Sequence, residues 1–337
     1  MSVNITKLAE HLNLSISTVS RALKDSFEIS EATKIRVREM ALKLDYQPNP
    51  HASSLRRNVS KTIAVVIPEV ANNFFALAID GIEYVAQEKG YHVLIYITHE
   101  KMQKEVTFVN HLLNGRADGV LMSLSAETDN YNHLTDLKGK GLPLVFFDRT
   151  CDSIESSAIT TDDLDSGFAA TEHLIRAGCT RIAYLDLSRN LSISNKRMEG
   201  YYKALEKYQI PRDEKLILEC TNNVSANEEL IGNALGVSER PNGIFASVEK
   251  LAIATYYVCE RMNIKIPQEL KIVSFSNLEV SSLLSPSLTT ITQPAYEIGK
   301  QAALQLFRYI DKKDLAHVCE KIVLKSTLIP RGSTKKH

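Results

Sequence analysis

The chain has 337 residues and carries 40 Lys and Arg against 40 Asp and Glu, so its formal charge is zero at pH 7. That length suits two or three domains of ~150 residues, and 44% hydrophobic with 24% charged residues excludes a disordered chain. Neutrality argues against a protein that coats polyanions, and no apolar run reaches the ~18 residues of a membrane helix. Met1-Ser2-Val3-Asn4 lacks the charged-then-apolar layout of a signal peptide, which makes a cytoplasmic location the expectation. Five scattered cysteines without a C-x-x-C pair read as reduced thiols, and no cofactor is expected. The average charge hides an asymmetry. Residues 1–61 hold ten basic side chains and six acidic ones, a net of +4, which leaves thirty basic and thirty-four acidic, −4, in the remainder. A basic segment on an acidic body is the pattern of a nucleic-acid-binding arm.

In chain order, Ile5, Leu8, Ala9 and Leu12 form the i, i+3, i+4, i+7 stripe of a short amphipathic helix. Asn13-Leu14-Ser15 interrupts it, and Ser15 can cap a second helix over 16–24 by accepting from the N–H of Ser17 or Thr18. Val19 and Leu23 give that helix a buried face, and Ser17, Ser20, Arg21 and Lys24 an outward one. Two short helices joined so tightly predict a helix-turn-helix, whose second helix fits the DNA major groove. A third helix is expected from N-cap Ser30 to about residue 44, with Val37, Met40, Ala41 and Leu44 on one face. Asn49 and Pro50 then have helix-start chemistry for a segment of barely two turns carrying Leu55, Arg56 and Arg57. Two readings stand level there: an ordinary linker, or a hinge that orders on DNA and inserts Leu55 into a minor-groove step.

The stretches Leu14-Ser15-Ile16-Ser17-Thr18-Val19-Ser20-Arg21-Ala22-Leu23 and Leu44-Asp45-Tyr46-Gln47-Pro48-Asn49 resemble the DNA-binding headpiece of the lactose-repressor (LacI/GalR) family. The resemblance implies base contacts at Ser15, Ile16, Ser17 and Arg21 and a hinge wedge at Leu55. Thr18, Ser20, Lys24, Tyr46 and Asn49 complete the expected DNA-binding set. Asn4 and Lys7 stand where the family usually has Thr and Asp.

From residue 61 onward, strands and helices alternate. Expected strands cover 62–67, 93–97, 119–122, 144–147, 181–185, 216–218, 243–246 and 271–275, with helices over 71–89, 102–113, 195–208, 228–235 and 251–262. Two such runs predict an α/β fold with two doubly wound parallel-sheet lobes, and a ligand cleft at the carboxyl ends of their strands. The resemblance extends here through Arg116-Ala117-Asp118-Gly119-Val120, Arg197-Met198-Glu199-Gly200-Tyr201 and Arg240-Pro241-Asn242-Gly243. It implies lobes like periplasmic sugar-binding proteins and three crossings between them. The domains are then 1–47 headpiece, 48–60 hinge and 61–337 effector-binding and dimerisation domain. Lobe 1 would hold 61–160 and 291–319, and lobe 2 would hold 161–290 and 320–332.

The implied effector contacts are Phe74, Phe75, Asp148, Arg197, Val248 and Ser276. Arg197 can donate two parallel bonds to hydroxyls or a carboxylate. Phe74 and Phe75 are read equally well as core. Val248-Glu249 replaces the family's usual Asn-Asp, and Ser276-Asn277 replaces an Asp-Asp strand end. That departure leaves open a modified sugar, a phosphorylated or acidic ligand, or no small effector. No phosphate-cradling glycine motif and no nucleophile elbow occurs, so an enzyme is not expected. Asp162, Asp163 and Asp165 cluster at a helix start, which attracts acids without any metal. The expectation is a sequence-specific transcriptional regulator, a repressor, binding pseudo-palindromic operator DNA as a homodimer. The alternative is a cytoplasmic sugar-binding or sugar-processing protein without operator control.

Overall fold

The computed structural model describes residues 4–46, 59–311 and 319–335. The chain divides into two compact units, Met1–Ser60 and Lys61–His337.

The first unit consists of three helices, α1 (Ile5–Leu12), α2 (Ile16–Leu23) and α3 (Glu31–Lys43). Each starts on a side-chain cap, a local choice that spares an orphan N–H at the helix start. Asn4 accepts from Lys7 N, Ser15 from Thr18 N and Ser30 from Thr33 N. Asn4 thus does the capping work expected of a Thr there. The left-handed Asn13 (φ 53°) closes α1 and turns the chain into α2. Leu8, Leu12, Val19, Ala22 and Val37 form the buried centre, with Leu23, Met40, Ala41 and Leu44 packed around it.

The second unit alternates as expected. Its first part runs β1 (Thr62–Ile67), α4 (Asn73–Glu88), β2 (His92–Ile97), α5 (Met102–Leu112), β3 (Gly119–Met122), α6 (Asn132–Gly139), β4 (Leu144–Phe147) and β5 (Ser157–Thr161). Its second part runs α7 (Asp163–Arg176), β6 (Ile182–Asp186), α8 (Ser192–Lys207), β7 (Ile217–Glu219), α9 (Val224–Leu235), β8 (Gly243–Ala246), α10 (Glu249–Arg261), β9 (Lys271–Phe275) and β10 (Thr289–Thr292). The chain ends with α11 (Ala295–Asp311), β11 (Lys321–Leu324) and β12 (Thr327–Ile329).

Two six-stranded sheets result, ordered β11-β5-β4-β3-β1-β2 and β12-β10-β9-β8-β6-β7. The first is parallel throughout, and the second is parallel except for the antiparallel β10–β12 pair. Buried β-branched and aromatic runs such as Ile63–Ile67 fill both faces of the inner strands, as parallel sheets under helices require, while the edge strands β2, β11 and β12 are exposed or half-buried. The chain crosses between lobes after β5, after β10 and after β11, which makes the three expected crossings. Two boundaries move. Lys321–Leu324 was expected in lobe 2 but pairs with Ser157–Thr161 in lobe 1, and β10 completes lobe 2 before the second crossing. Residues 321–329 read as one run, without a Gly or Pro to mark where the chain changes sheets.

Helices α7 and α8 cross at Gly167 and Gly200. A Cβ on Gly167 would run into the backbone of Arg197, and one on Gly200 into Leu164 O and Phe168 N. This close approach seats Arg197 against the start of α7. Among the described residues, no helix is long and apolar enough to cross a membrane. None of their His, Cys, Asp and Glu side chains form a group able to hold a metal ion.

Candidate DNA-reading surface and effector cleft

In the first unit, Ser17, Arg21 and Lys24 lie at i, i+4 and i+7 on the exposed face of α2. Ser15 precedes them, its hydroxyl 3.1 Å from Thr18 N and 2.8 Å from both the Ser17 and Thr18 hydroxyls. A hydroxyl network is therefore preformed at the start of α2, one turn before Arg21. Thr18 and Ser20 are half-buried at the edge of this face. Two residues of the expected DNA-binding set are more structural than the sequence suggested. Ile16 and Tyr46 both pack against the headpiece core, and burial pushes the Tyr46 hydroxyl above its ordinary pKa. Asn49 and Leu55, with the expected hinge, lie outside the described residues.

The second candidate site lies where the strands of both lobes end. It is lined by Asn72, Phe74, Phe75, Asp148, Arg149, Ile193, Arg197, Val248, Glu249, Phe275, Ser276, Asn277 and Gln293. All six expected effector contacts thus converge. The cleft is narrow, with about 30 Å³ free, room for little more than a water molecule. A larger hollow of about 330 Å³ among Glu228, Tyr257, Glu260 and Arg261 sits on the outer α9–α10 surface, away from the strand ends.

Both lobes contribute to the cleft. Asn72 caps α4 by accepting from Phe74 N at 2.9 Å, which places the two phenylalanines at its start. Their rings meet edge to face, 5.3 Å apart, and Phe75 meets Phe147 in the same manner. Phe74 and Phe75 are 6% and 1% exposed and belong to the lobe 1 core, so both readings of these residues hold at once. Asp148 leaves β4 in the left-handed region (φ 60°), which turns its carboxyl into the cleft lining. Burial pushes that carboxyl up to about pKa 6, against the pull of Arg149 and Arg197.

Arg197 is buried across the cleft on α8. Its Nε donates to Asp163 Oδ1 and its Nη1 to Ser247 O, both at 2.7 Å. Its guanidinium carbon lies 3.7 Å from the centre of the Phe275 ring, a cation–π contact strengthened by desolvation. Asp163, the acid of the helix-start cluster, therefore serves as the counter-ion of Arg197. Burial raises its pKa and Arg197 pulls it down. Arg149 similarly donates to Glu100, at 2.8 and 2.9 Å to its two oxygens. Among the described residues no hydrogen bond reaches Arg197 Nη2 or Arg149 Nε, though both are buried and Asp148 Oδ2 lies 3.8 Å from the latter.

The departures at 248 and 276 compensate each other. Val248 has no polar side-chain atom, but its neighbour Glu249 accepts from Ser276 Oγ at 2.9 Å and Asn277 N at 3.2 Å. Asn277 also donates to Gln293 O, and Asn73 reaches Asn277 O from the opposite lobe. The expected effector set left out Asn72, Arg149, Ile193, Glu249, Phe275, Asn277 and Gln293, which also line the cleft. The pairs Asp148-Arg149, Val248-Glu249 and Ser276-Asn277 each set an omitted residue beside an expected one, whereas Gln293 depends on which strand ends lie side by side.

Residues 4–49 match the bacterial regulatory proteins of the lacI family, and 171–334 match a periplasmic binding protein-like domain. The HTH-type transcriptional repressor CytR of Escherichia coli strain K12 is 30% identical over 96% of this chain and 93% of its own length. The lac repressor dimer bound to operator and the anti-inducer ONPF matches 99% of both chains with a TM-score of 0.84 at 21% identity. A LacI family regulator from Enterococcus faecium with bound ribose matches 81% of this chain and 98% of its own, with a TM-score of 0.71 at 25% identity. The chain belongs to the LacI family and is a LacI-type transcriptional repressor with effector-binding lobes, not an enzyme.

Proposed function

We propose that the protein acts in the cytoplasm as a homodimer, placing two α2 helices in successive major grooves of a pseudo-palindromic operator. Ser15, Ile16, Ser17 and Arg21 read bases; Thr18, Ser20, Lys24, Tyr46 and Asn49 border the backbone; and Leu55 wedges the centre of the site. The exposed Ser17–Arg21–Lys24 stripe carries this reading, because a capped helix holds it over a packed core. Tyr84 and Tyr296, both exposed on the paired helices α4 and α11 of lobe 1, suit a self-association face.

The cleft supports a small ligand rich in hydroxyl groups, a sugar or sugar derivative. Arg197 Nη2 supplies a donor without a partner, Glu249 and Gln293 supply acceptors, and Phe74 and Phe275 supply apolar faces. Four carboxylates (Glu100, Asp148, Asp163, Glu249) surround two arginines there. That balance disfavours a phosphorylated ligand, since both cations already have counter-ions. With only about 30 Å³ free, ligand entry requires the lobes to part, and this couples binding to lobe geometry and so to operator affinity.

Two measurements on the full chain test this reading. Selection from a random DNA pool should return a two-fold repeat, and Arg21→Ala should relax preference at one base pair per half-site by ~1–3 kcal/mol. A pool that yields no repeated half-site refutes the DNA half. Thermal-shift titration should find stabilisation by neutral sugars and none by their phosphates, because a ligand that binds the native state raises stability by mass action. Stabilisation by phosphates alone refutes the ligand half.

A further inference from the structure

Arg21, the guanidinium on which base reading rests, is already engaged within the headpiece. Its Nη1 donates to Glu28 Oε2 at 2.7 Å, across the turn between α2 and α3. Both side chains remain about half exposed, at 56% and 49%, so the pair faces solvent and is open to DNA. Two further acids, Asp25 in the turn and Glu31 at the start of α3, are also paired. Asp25 pairs with Lys34 and Arg38, and Glu31 pairs with Lys34. Three headpiece cations therefore have carboxylate partners, and among them only Arg21 lies on the exposed face of α2.

The pairing alters what Arg21 can bind. A free guanidinium is drawn to any phosphate, a contact without sequence information. With Glu28 attached, Arg21 and its partner carry no net charge, and a phosphate oxygen approaching Arg21 also meets the Glu28 carboxylate. A guanine edge is a neutral pair of acceptors and pays no such penalty. Guanidinium has five N–H donors, of which Glu28 occupies one, and the four that remain exceed the two that guanine O6 and N7 need. The carboxylate also restricts the rotamers of a long side chain before DNA arrives, reducing the ordering cost at binding.

We propose that Glu28 is a positioning residue for DNA recognition. It withholds Arg21 from phosphates and presents it to a guanine edge, and so widens the gap between operator and bulk DNA. This rests on the reading of Arg21 as a base contact.

The test uses full-length protein, a duplex selected from a random pool and a non-specific duplex of equal length. Binding is measured by fluorescence anisotropy over a salt series. Glu28→Gln should tighten binding to non-specific DNA and steepen its salt dependence. The operator-to-non-specific ratio should fall by about 2- to 30-fold, corresponding to an exposed ion pair at each of two half-sites. Glu28→Asp should restore part of the ratio. In an Arg21→Ala background, Glu28→Gln should leave the ratio unchanged. If Glu28→Gln strengthens both duplexes alike, Glu28 is only a repelling charge and the proposal is overturned. An undiminished effect in the Arg21→Ala background overturns it too. If Arg21→Ala by itself leaves base preference intact, the underlying reading of Arg21 has failed, a result distinct from the loss of coupling.

Discussion

Arg197 allows the electrostatics of the cleft to be tested on stability alone, without knowledge of the ligand. Arg197→Met keeps an apolar stem over Phe275 but removes the donations to Asp163 and Ser247 O. Among the described residues Asp163, whose side chain is 1% exposed, then keeps one side-chain hydrogen bond, from the Thr161 hydroxyl at 3.1 Å, and the more distant charge of Lys196. Stranding one member of a buried pair costs about 3–5 kcal/mol. At ~2–4 °C per kcal/mol for a domain of this size, melting should fall by roughly 6–20 °C. The loss should depend on pH. Burial already raises the Asp163 pKa and Arg197 opposes that rise, so without Arg197 the carboxyl takes up a proton more readily in the folded state. The folded state then binds more protons than the unfolded one, and stability falls as pH increases through that window. The deficit should therefore be largest near pH 8 and shrink toward pH 5. Adding Asp163→Asn removes the stranded charge and should recover most of the loss. Thermal unfolding of the full chain at several pH values measures all of this. A loss under ~1 kcal/mol near pH 8, or one that Asp163→Asn does not relieve, refutes the buried-pair reasoning.

Three further outcomes are expected. Asp148→Asn should stabilise the protein above pH 6, because the carboxyl pushed up to about 6 no longer has to ionise in a buried site. The gain should approach ~2–3 kcal/mol near pH 8 and vanish below about pH 4, read from denaturant midpoints. Ser15→Ala removes the acceptor for Thr18 N and should cost the headpiece ~1 kcal/mol, seen as faster amide exchange in α1–α3. Gly200→Ala places a Cβ against Leu164 O and Phe168 N, and should lower stability by ~1–3 kcal/mol in thermal melts while separating Arg197 from Asp163.

Local chemistry made the headpiece legible. The caps Ser15 and Ser30 and the apolar stripe of α1 are short-range features, and the structure places them as the spacing indicates. The buried strands of lobe 1 were legible for the same reason, as β-branched runs such as Thr62–Ile67. Ser157–Thr161 escaped notice because its Ser-Ala-Ile-Thr-Thr sequence is only partly apolar, although all five residues are buried. Its polarity is absorbed by specific bonds, with Tyr309, Gln305 and Glu320 N all meeting Ser157 Oγ. The cleft was half legible. Arg197 and Asp148 follow from local motifs, but the bond from Ser276 to Glu249 joins residues twenty-seven positions apart. It exists because β8 and β9 lie side by side, and a single sequence does not carry that adjacency.

The charge count also changes meaning when it is placed on the fold. Of the +4 over residues 1–61, the described headpiece 4–46 accounts for only +1, with seven basic and six acidic side chains. Arg56, Arg57 and Lys61 supply the other three. Within the headpiece, Arg21, Lys34 and Arg38 are held by Glu28, Asp25 and Glu31. Counterion release scales with the cations that reach phosphate, at about 0.9 in the log–log salt slope for each contact. Among the described residues Lys7, Lys24, Arg36 and Lys43 have no carboxylate partner, so in the proposed mechanism the non-specific attraction to DNA is shared between the headpiece and the connecting segment, while Arg21 contributes geometry more than charge. In the proposed mechanism the effector domain acts through that same segment. A change in lobe spacing then withdraws the share of the electrostatic attraction that Arg56, Arg57 and Lys61 supply, without any change in the residues that read bases.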